Sequence, residues 1–257
     1  MEKTLFLSEN PKRRIRRDGP SLWVEQEGEA GTRIPARVIR RVIIRGNVRM
    51  DAGCLTLFAE RGVPVTLFGT DGMPSAVVLP VATQEGQRRT RQRALLEDRA
   101  RQDRILAWML AWERGRQVAL IGRLAPHIAK RWKRVGFRRE DYDAVLTRRL
   151  DVPVEESGER AFVAGMVFEF ILAEISAERW DPHVGVRHQT GPLGFAHDLT
   201  DVLGAEADRI WIAALERSAA PVATSFTLVR EFERARPRLE KLLRSLLRQY
   251  ERILWEL

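Results

Sequence analysis

The 257-residue sequence predicts an α+β protein, with an N-terminal, mainly β domain followed by a larger all-α helical domain. Two observations predict it. Up to about residue 80 the apolar residues fall in short Val, Ile, Leu and Phe runs cut by Gly, Asp or Pro, as strands joined by tight turns require. From residue 83 onward they recur at three- and four-residue spacing over segments too long for strands, as amphipathic helices require. The polar stretch TQEGQRRTR at the change of pattern sets the expected domains at 1–82 and 83–257.

The strand candidates, in order, are TLFLS, RRIRRDG, SLWVEQEG, RRVIIRG, VPVTLFG and SAVVLP. The exception is DAGCLTLFAERG at 51–62, where Leu55, Leu57, Phe58 and Ala59 predict a short helix opened by Asp51, closed by Gly62 and packed on the sheet. The helical part opens with a long segment over 88–132, bent at Pro126. Next comes RAFVAGMVFEFILAEISAERW, apolar nearly all round and therefore the buried helix of a bundle. The tail carries a stripe of Leu239, Leu242, Leu243, Leu246, Tyr250, Ile253 and Leu254, with Pro237 placed for the first turn of that helix.

Lys and Arg number 44 against 35 Asp and Glu, a formal charge of +9, and the excess is arginine, whose planar fork suits phosphate. A polyanionic partner is expected. The single cysteine, Cys54, excludes an intrachain disulfide and a thiolate cage for zinc, and fits a reducing cytoplasm. The charged start MEKTLFLSENPKRRIRRDG lacks the apolar core of a signal peptide, and no window reaches a membrane span, so no membrane association is expected.

Chemistry concentrates in HQTGPLGFAHDLTD, residues 188–201. A helix starting near Asp198 puts Asp198 and Asp201 on one face, and the preceding loop can fold His188 back toward it through the Gly and Pro of QTGP. One imidazole with two carboxylates is a mostly hard ligand set, suited to Mg2+ or Mn2+ and, in a basic protein, to phosphoryl chemistry. The same spacing also describes an N-cap and a first-turn acid, a purely structural reading. His183 and His197 lack ligand spacing.

RWDPHVGVRH followed by PLGFAHDLTDVL resembles the central signature of the CRISPR adaptation integrases, the Cas1 family, with Asp181, Pro182, Gly185, His188, Asp198 and Asp201 in the family's places. The N-terminal strands, including Ile34-Pro35 and Gly46, and the helix WERGRQVALIGRLA, with Arg114 and Gln117, are similar as well. The resemblance implies a metal-dependent DNA endonuclease and integrase that inserts short spacers into a CRISPR array by attack of a DNA 3'-hydroxyl on a phosphodiester. It also implies a homodimer built through the β domain, the small partner Cas2, and double-stranded DNA as spacer precursor and repeat.

By match of position, His188 and Asp201 become metal ligands with Asp198 beside them. The family's third ligand is a glutamate in a Gly-Ile-Glu-Gly type turn, and residues 127–160 hold no such turn. They offer Glu140, Glu155, Glu156 and Glu159, of which Glu140, following Gly136 at the start of a helix, is the expected substitute. Without such a glutamate the chain becomes a catalytically impaired DNA-binding subunit of the same fold, and a general nucleic-acid chaperone is the third reading.

Among the arginine clusters, Lys130, Arg131, Lys133, Arg134, Arg138 and Arg139 lie on the helical domain that also carries the ligand cluster and are the expected phosphate contacts. Binding through them is expected to weaken steeply with salt, by about 10³-fold or more between 50 and 200 mM if six phosphates are contacted. Trp108, Trp112 and Trp211 read as core, leaving Trp132 as the tryptophan available to stack on a base.

Overall fold

The computed structural model describes residues 3–69, 72, 74–79, 87–151, 157–218 and 224–255. The chain divides into two compact units, Met1–Glu85 with Ser176–Glu178, and Gly86–Ile175 with Arg179–Leu257. The boundary expected at 82/83 lies outside the described residues. Strands come first and helices follow, so the α+β class is the one expected.

The first unit holds β1 (Lys3–Ser8), β2 (Arg13–Asp18), β3 (Ser21–Gln26), β4 (Thr32–Pro35), β5 (Ile39–Arg45), β6 (Arg49–Met50), α1 (Ala52–Glu60), β7 (Val65–Phe68) and β8 (Pro74–Val78). They form two four-stranded sheets, in the orders β1-β5-β7-β8 and β4-β3-β2-β6. Strand β5 pairs in parallel with both β1 and β7, and its Val42, Ile43 and Ile44 are all buried, as a strand covered on both faces requires. Strand β2 instead alternates: Ile15 is buried and its arginines point outward.

Those arginines are matched by acids: Arg14 with Asp51, Arg16 with Glu25 and Arg17 with Glu60, at 3.5, 3.1 and 2.9 Å. Helix α1 falls where the sequence puts it and buries Cys54, Leu57 and Phe58. The Cys54 thiol lies 3.8 Å from the Ile15 carbonyl, and burial, followed by the charge of Asp51, pushes its pKa up, away from thiolate chemistry.

The second unit is built from α2 (Gln87–Leu95), α3 (Arg99–Leu124), α4 (Pro126–Val135), α5 (Arg139–Leu150), α6 (Gly158–Ala177), α7 (Gly194–Val202), α8 (Gly204–Arg217) and α9 (Ser225–Trp255). The long segment expected over 88–132 is broken twice. Pro126 opens α4 as expected, and a second break precedes α3, where the Asp98 carboxylate caps the helix by accepting from the Arg101 N–H at 3.0 Å. Pro237 departs from expectation: it lies inside α9, not in its first turn. Residues ahead of it continue the buried face with Leu228 and Phe232, and burying two such side chains offsets the roughly 3 kcal/mol that an interior proline costs.

Helix α6 is the core helix, with Phe162, Val163, Met166, Val167, Phe170 and Ile171 all buried. Trp211 is fully buried, while Trp108 and Trp112 are half-buried and both donate to Gln249 Oε1, at 3.3 and 3.0 Å. Trp132 is also buried, its ring stacked on Phe137 at 4.2 Å, so the face expected to receive a base is already covered. None of the helices, as far as they are described, is long and apolar enough to cross a membrane.

Candidate functional site

The loop between α6 and α7 is bracketed by two fully buried aromatics, Trp180 and Phe195, which pack on Tyr250 of α9 at ring distances of 5.5 and 4.8 Å. Its first residue is clamped: Gln92 donates to the Asp181 carbonyl and accepts from the Asp181 N–H at 3.3 and 2.8 Å, while the Asp181 carboxylate accepts from Arg93 at 3.1 Å. Gly185 and Gly194 mark where the loop crosses the start of α7. A Cβ on Gly185 would stand 2.5 Å from the Gly194 carbonyl carbon, and one on Gly194 would collide with the His188 carbonyl, so only glycine fits at either position.

Helix α7 begins at Gly194, one turn earlier than the sequence suggests, so Asp198 is not a capping residue. Its side chain is fully buried and accepts the backbone N–H groups of Val186, Arg187 and His188 at 2.6, 3.1 and 2.9 Å. The same carboxylate lies 2.9 Å from His188 Nδ1. A carboxylate only accepts, so Nδ1 is the donor in this contact and Nε2 is the ring nitrogen left facing the site. Asp198, expected beside the metal ligands, is thus hydrogen-bonded through both oxygens to the loop that carries His188. It aims the imidazole as the outer carboxylate of a carboxylate–histidine–metal arrangement does.

His188 Nε2 points toward Asp201, 3.7 Å from its Oδ2. The same Asp201 oxygen lies 3.2 Å from Arg187 Nη1, and that nitrogen also donates to Glu113 Oε2 at 3.0 Å. Glu113 comes from the buried side of α3 and accepts a second bond from Gln117 at 3.4 Å. Glu113 and Asp201 thus share the Arg187 guanidinium. Glu140 sits exposed in the first turn of α5, where an acid complements the helix dipole, on the wall of a cleft of about 300 Å³ that Glu113, Arg114, Arg138 and Arg187 also line.

Glu159 accepts from Ser157 in the first turn of α6, and Glu155 and Glu156 lie outside the described residues. Among the described residues, no three His, Cys, Asp or Glu side chains already stand at mutual metal-ligand geometry. The guanidinium of Arg187 occupies the point that Glu113 and Asp201 share.

Sequence reasoning passed over Glu113 and Arg187. For Glu113 a signal existed: Ile105, Met109, Glu113, Gln117 and Ile121 repeat every four residues along α3 and are all buried, so an acid interrupts an apolar stripe. His197, set aside for its spacing, has its ring 5.5 Å from that of His188 and 4.7 Å from Phe168. Its pKa is held below the ordinary histidine value, first by partial burial and then by the nearby His188.

A second cleft, of about 240 Å³, is lined by both Asp201 and Glu113. Its wall is braced by a buried network in which the Tyr142 hydroxyl donates to Asp208 at 2.7 Å and Arg160 bridges Asp208 and Asp143 at 2.6 and 2.8 Å. Burial and then the Asp208 charge push the Tyr142 pKa up, fixing it as a neutral donor. Lys130, Arg131, Lys133, Arg134, Arg138 and Arg139 are all exposed, along α4 and into the start of α5.

The model of the family described as CRISPR associated protein Cas1 matches residues 7–137, about half of the chain. The fold is similar to that of a CAS1 protein from Thermotoga maritima, with 14% identity and a TM-score of 0.79 over 99% of this chain and 97% of that one. It is also similar to a casposase bound to integration product, with 17% identity and a TM-score of 0.69 over 91% of this chain and 82% of that one. A chain of a Cas6-RT-Cas1–Cas2 complex matches at 11% identity and a TM-score of 0.63, over 85% of this chain and 28% of that one. No curated protein matches the sequence. The protein belongs to the family of the CRISPR associated protein Cas1.

Proposed function

We propose that this chain is a divalent-metal-dependent DNA integrase and nuclease of CRISPR adaptation, joining the 3'-hydroxyl of a short DNA segment to a phosphodiester of a CRISPR array. Family membership and the likeness to a casposase bound to integration product support the integrase class. The observation that carries the catalytic reading is that Glu113 from α3 and Asp201 from α7 meet at one Arg187 nitrogen, while His188 Nε2 from the loop lies 3.7 Å from the same Asp201 oxygen.

The donor set fits Mg2+ or Mn2+: two carboxylates, one imidazole nitrogen and no thiolate, in a site open enough for water or phosphate oxygens to complete the shell. Glu113, His188 and Asp201 would hold the ion, and Asp198 would fix the imidazole that presents Nε2. When bound, the ion would polarise the phosphodiester and ease deprotonation of the attacking hydroxyl.

The reaction balances without an external energy source. The attacking 3'-oxygen forms a bond to phosphorus as the bond from that phosphorus to the array strand's 3'-oxygen breaks, and the attacking hydroxyl's proton ends on the leaving oxygen. Lys130, Arg131, Lys133, Arg134, Arg138 and Arg139 would hold the backbone of double-stranded DNA, both spacer precursor and repeat, through sequence-independent phosphate contacts. A homodimer through the β domain and a Cas2 partner complete the assembly that the family implies; one of the similar structures is a complex containing Cas2.

The test is a DNA-joining assay with manganese on wild type and His188→Ala. Joined product from the wild type alone is expected. Product from neither would favour the turnover-free DNA-binding subunit, a reading that draws its weight from the missing family glutamate. Equal product from both would sink the role of His188.

A further inference from the structure

One basic side chain stands inside an otherwise acidic and imidazole-bearing site. Arg187 Nη1 lies 3.0 Å from Glu113 Oε2 and 3.2 Å from Asp201 Oδ2, so a single nitrogen bridges the two carboxylates. Its backbone is fixed by the Asp198 carboxylate at 3.1 Å, but its side chain is only partly buried, at 32% exposure. The root of the side chain is therefore rigid while its head can move. Clefts of about 300 and 330 Å³ flank it, the first also lined by Arg114, Arg138 and Arg139, the second by Arg99, Gln102 and Gln189.

From this geometry we infer that Arg187 is a two-position residue: the resident cation of the metal-free site, and a ligand for a DNA phosphate once a divalent ion displaces it. The inference rests on the reading of Glu113, His188 and Asp201 as metal ligands. The nearly buried Glu113 carboxylate and the partly buried Asp201 carboxylate face one point and repel each other, and the guanidinium neutralises them while no metal is present. A divalent ion needs the same two oxygens at about 2.1 Å, a place it cannot share with a positively charged nitrogen hydrogen-bonded to both. Metal therefore binds only as the guanidinium leaves. Its planar fork then turns into the basic cleft, where a phosphate oxygen is its natural partner.

DNA in that cleft stabilises the displaced position, so metal and DNA favour each other's binding. Linkage requires the two effects to be equal in size. A protein built in this way holds its ion weakly until DNA is present.

Calorimetric titration of manganese chloride into wild type, Arg187→Gln, Arg187→Lys and His188→Ala, each with and without a DNA duplex, tests the inference. Thermal unfolding confirms that each variant is folded. Without DNA, Arg187→Gln is expected to bind manganese about tenfold more tightly than wild type, and Arg187→Lys, which keeps the charge, to stay close to wild type. Duplex DNA should tighten manganese binding to wild type by a similar factor and change Arg187→Gln little. If Arg187→Gln binds no more tightly than wild type while His188→Ala loses binding, the metal site stands and the two-position role of Arg187 is overturned. If neither wild type nor Arg187→Gln binds manganese, with or without DNA, the metal reading itself has failed and the inference falls with it.

Discussion

Asp198→Ala is expected to lower the folding stability by about 3–5 kcal/mol, the range for removing one partner of a buried, charge-assisted hydrogen-bond network. The cost comes from what the mutation leaves behind. Three consecutive backbone N–H groups, of Val186, Arg187 and His188, lose their acceptor at once, and the alanine side chain offers none in return. Urea unfolding measures the loss, and hydrogen exchange at those three amides should rise before the helices open. Asp198→Asn keeps one acceptor oxygen but turns an NH2 toward N–H donors, so it should fall between wild type and alanine.

DNA joining should fall with Asp198→Ala even though Asp198 is not among the residues proposed to hold the ion or the DNA. The imidazole of His188 loses the partner that holds its Nδ1 hydrogen and its orientation. A stability change below about 1 kcal/mol would show that the loop does not depend on this carboxylate.

Glu113→Ala and Glu140→Ala should separate by orders of magnitude in the joining assay. Loss of Glu113 removes one of the two carboxylates proposed to hold the ion, and a reduction of about 10³-fold is expected, several kcal/mol of transition-state stabilisation. Glu140 is exposed on the rim of the cleft, and its removal should leave the rate within about threefold, since exposed charges interact weakly. Single-turnover joining with manganese and a labelled 3'-hydroxyl strand measures both. The reverse ranking would return the third ligand to Glu140 and leave Glu113 as a structural partner of Arg187. Glu113→Gln, nearly isosteric, guards against a folding defect: it keeps a hydrogen bond for Arg187 but lacks the charge a divalent ion requires.

The parts of the site legible in the sequence are those that local chemistry places. His188 and Asp198 are ten residues apart, within one loop and the helix that follows it, and a glycine-bearing turn of that length can close on itself in few ways. Their pairing could be anticipated, although the roles could not. Spacing shows that Asp198 and Asp201 share a helical face, but only three backbone N–H groups arriving from another segment make one of them an anchor and leave the other exposed to the site. Pro237 teaches a related lesson. The local rule puts it at a helix start, and the burial of Leu228 and Phe232 ahead of it outweighs that rule.

The sequence by itself determined the order of strands and helices, the short helix of the β part, the buried α6 and the histidine–aspartate loop. Each follows from residue periodicity or turn chemistry acting over fewer than about thirty residues. Tertiary structure alone decided that Glu113 faces Asp201 and that Arg187 stands between them. Glu113 and Arg187 are 74 positions apart, and no period in the chain links one helix's buried stripe to a particular oxygen on another element. That contact exists because α3 packs beside α7 and α8, and packing of this kind is set by the fit of whole apolar faces, on which the few polar residues are carried into place.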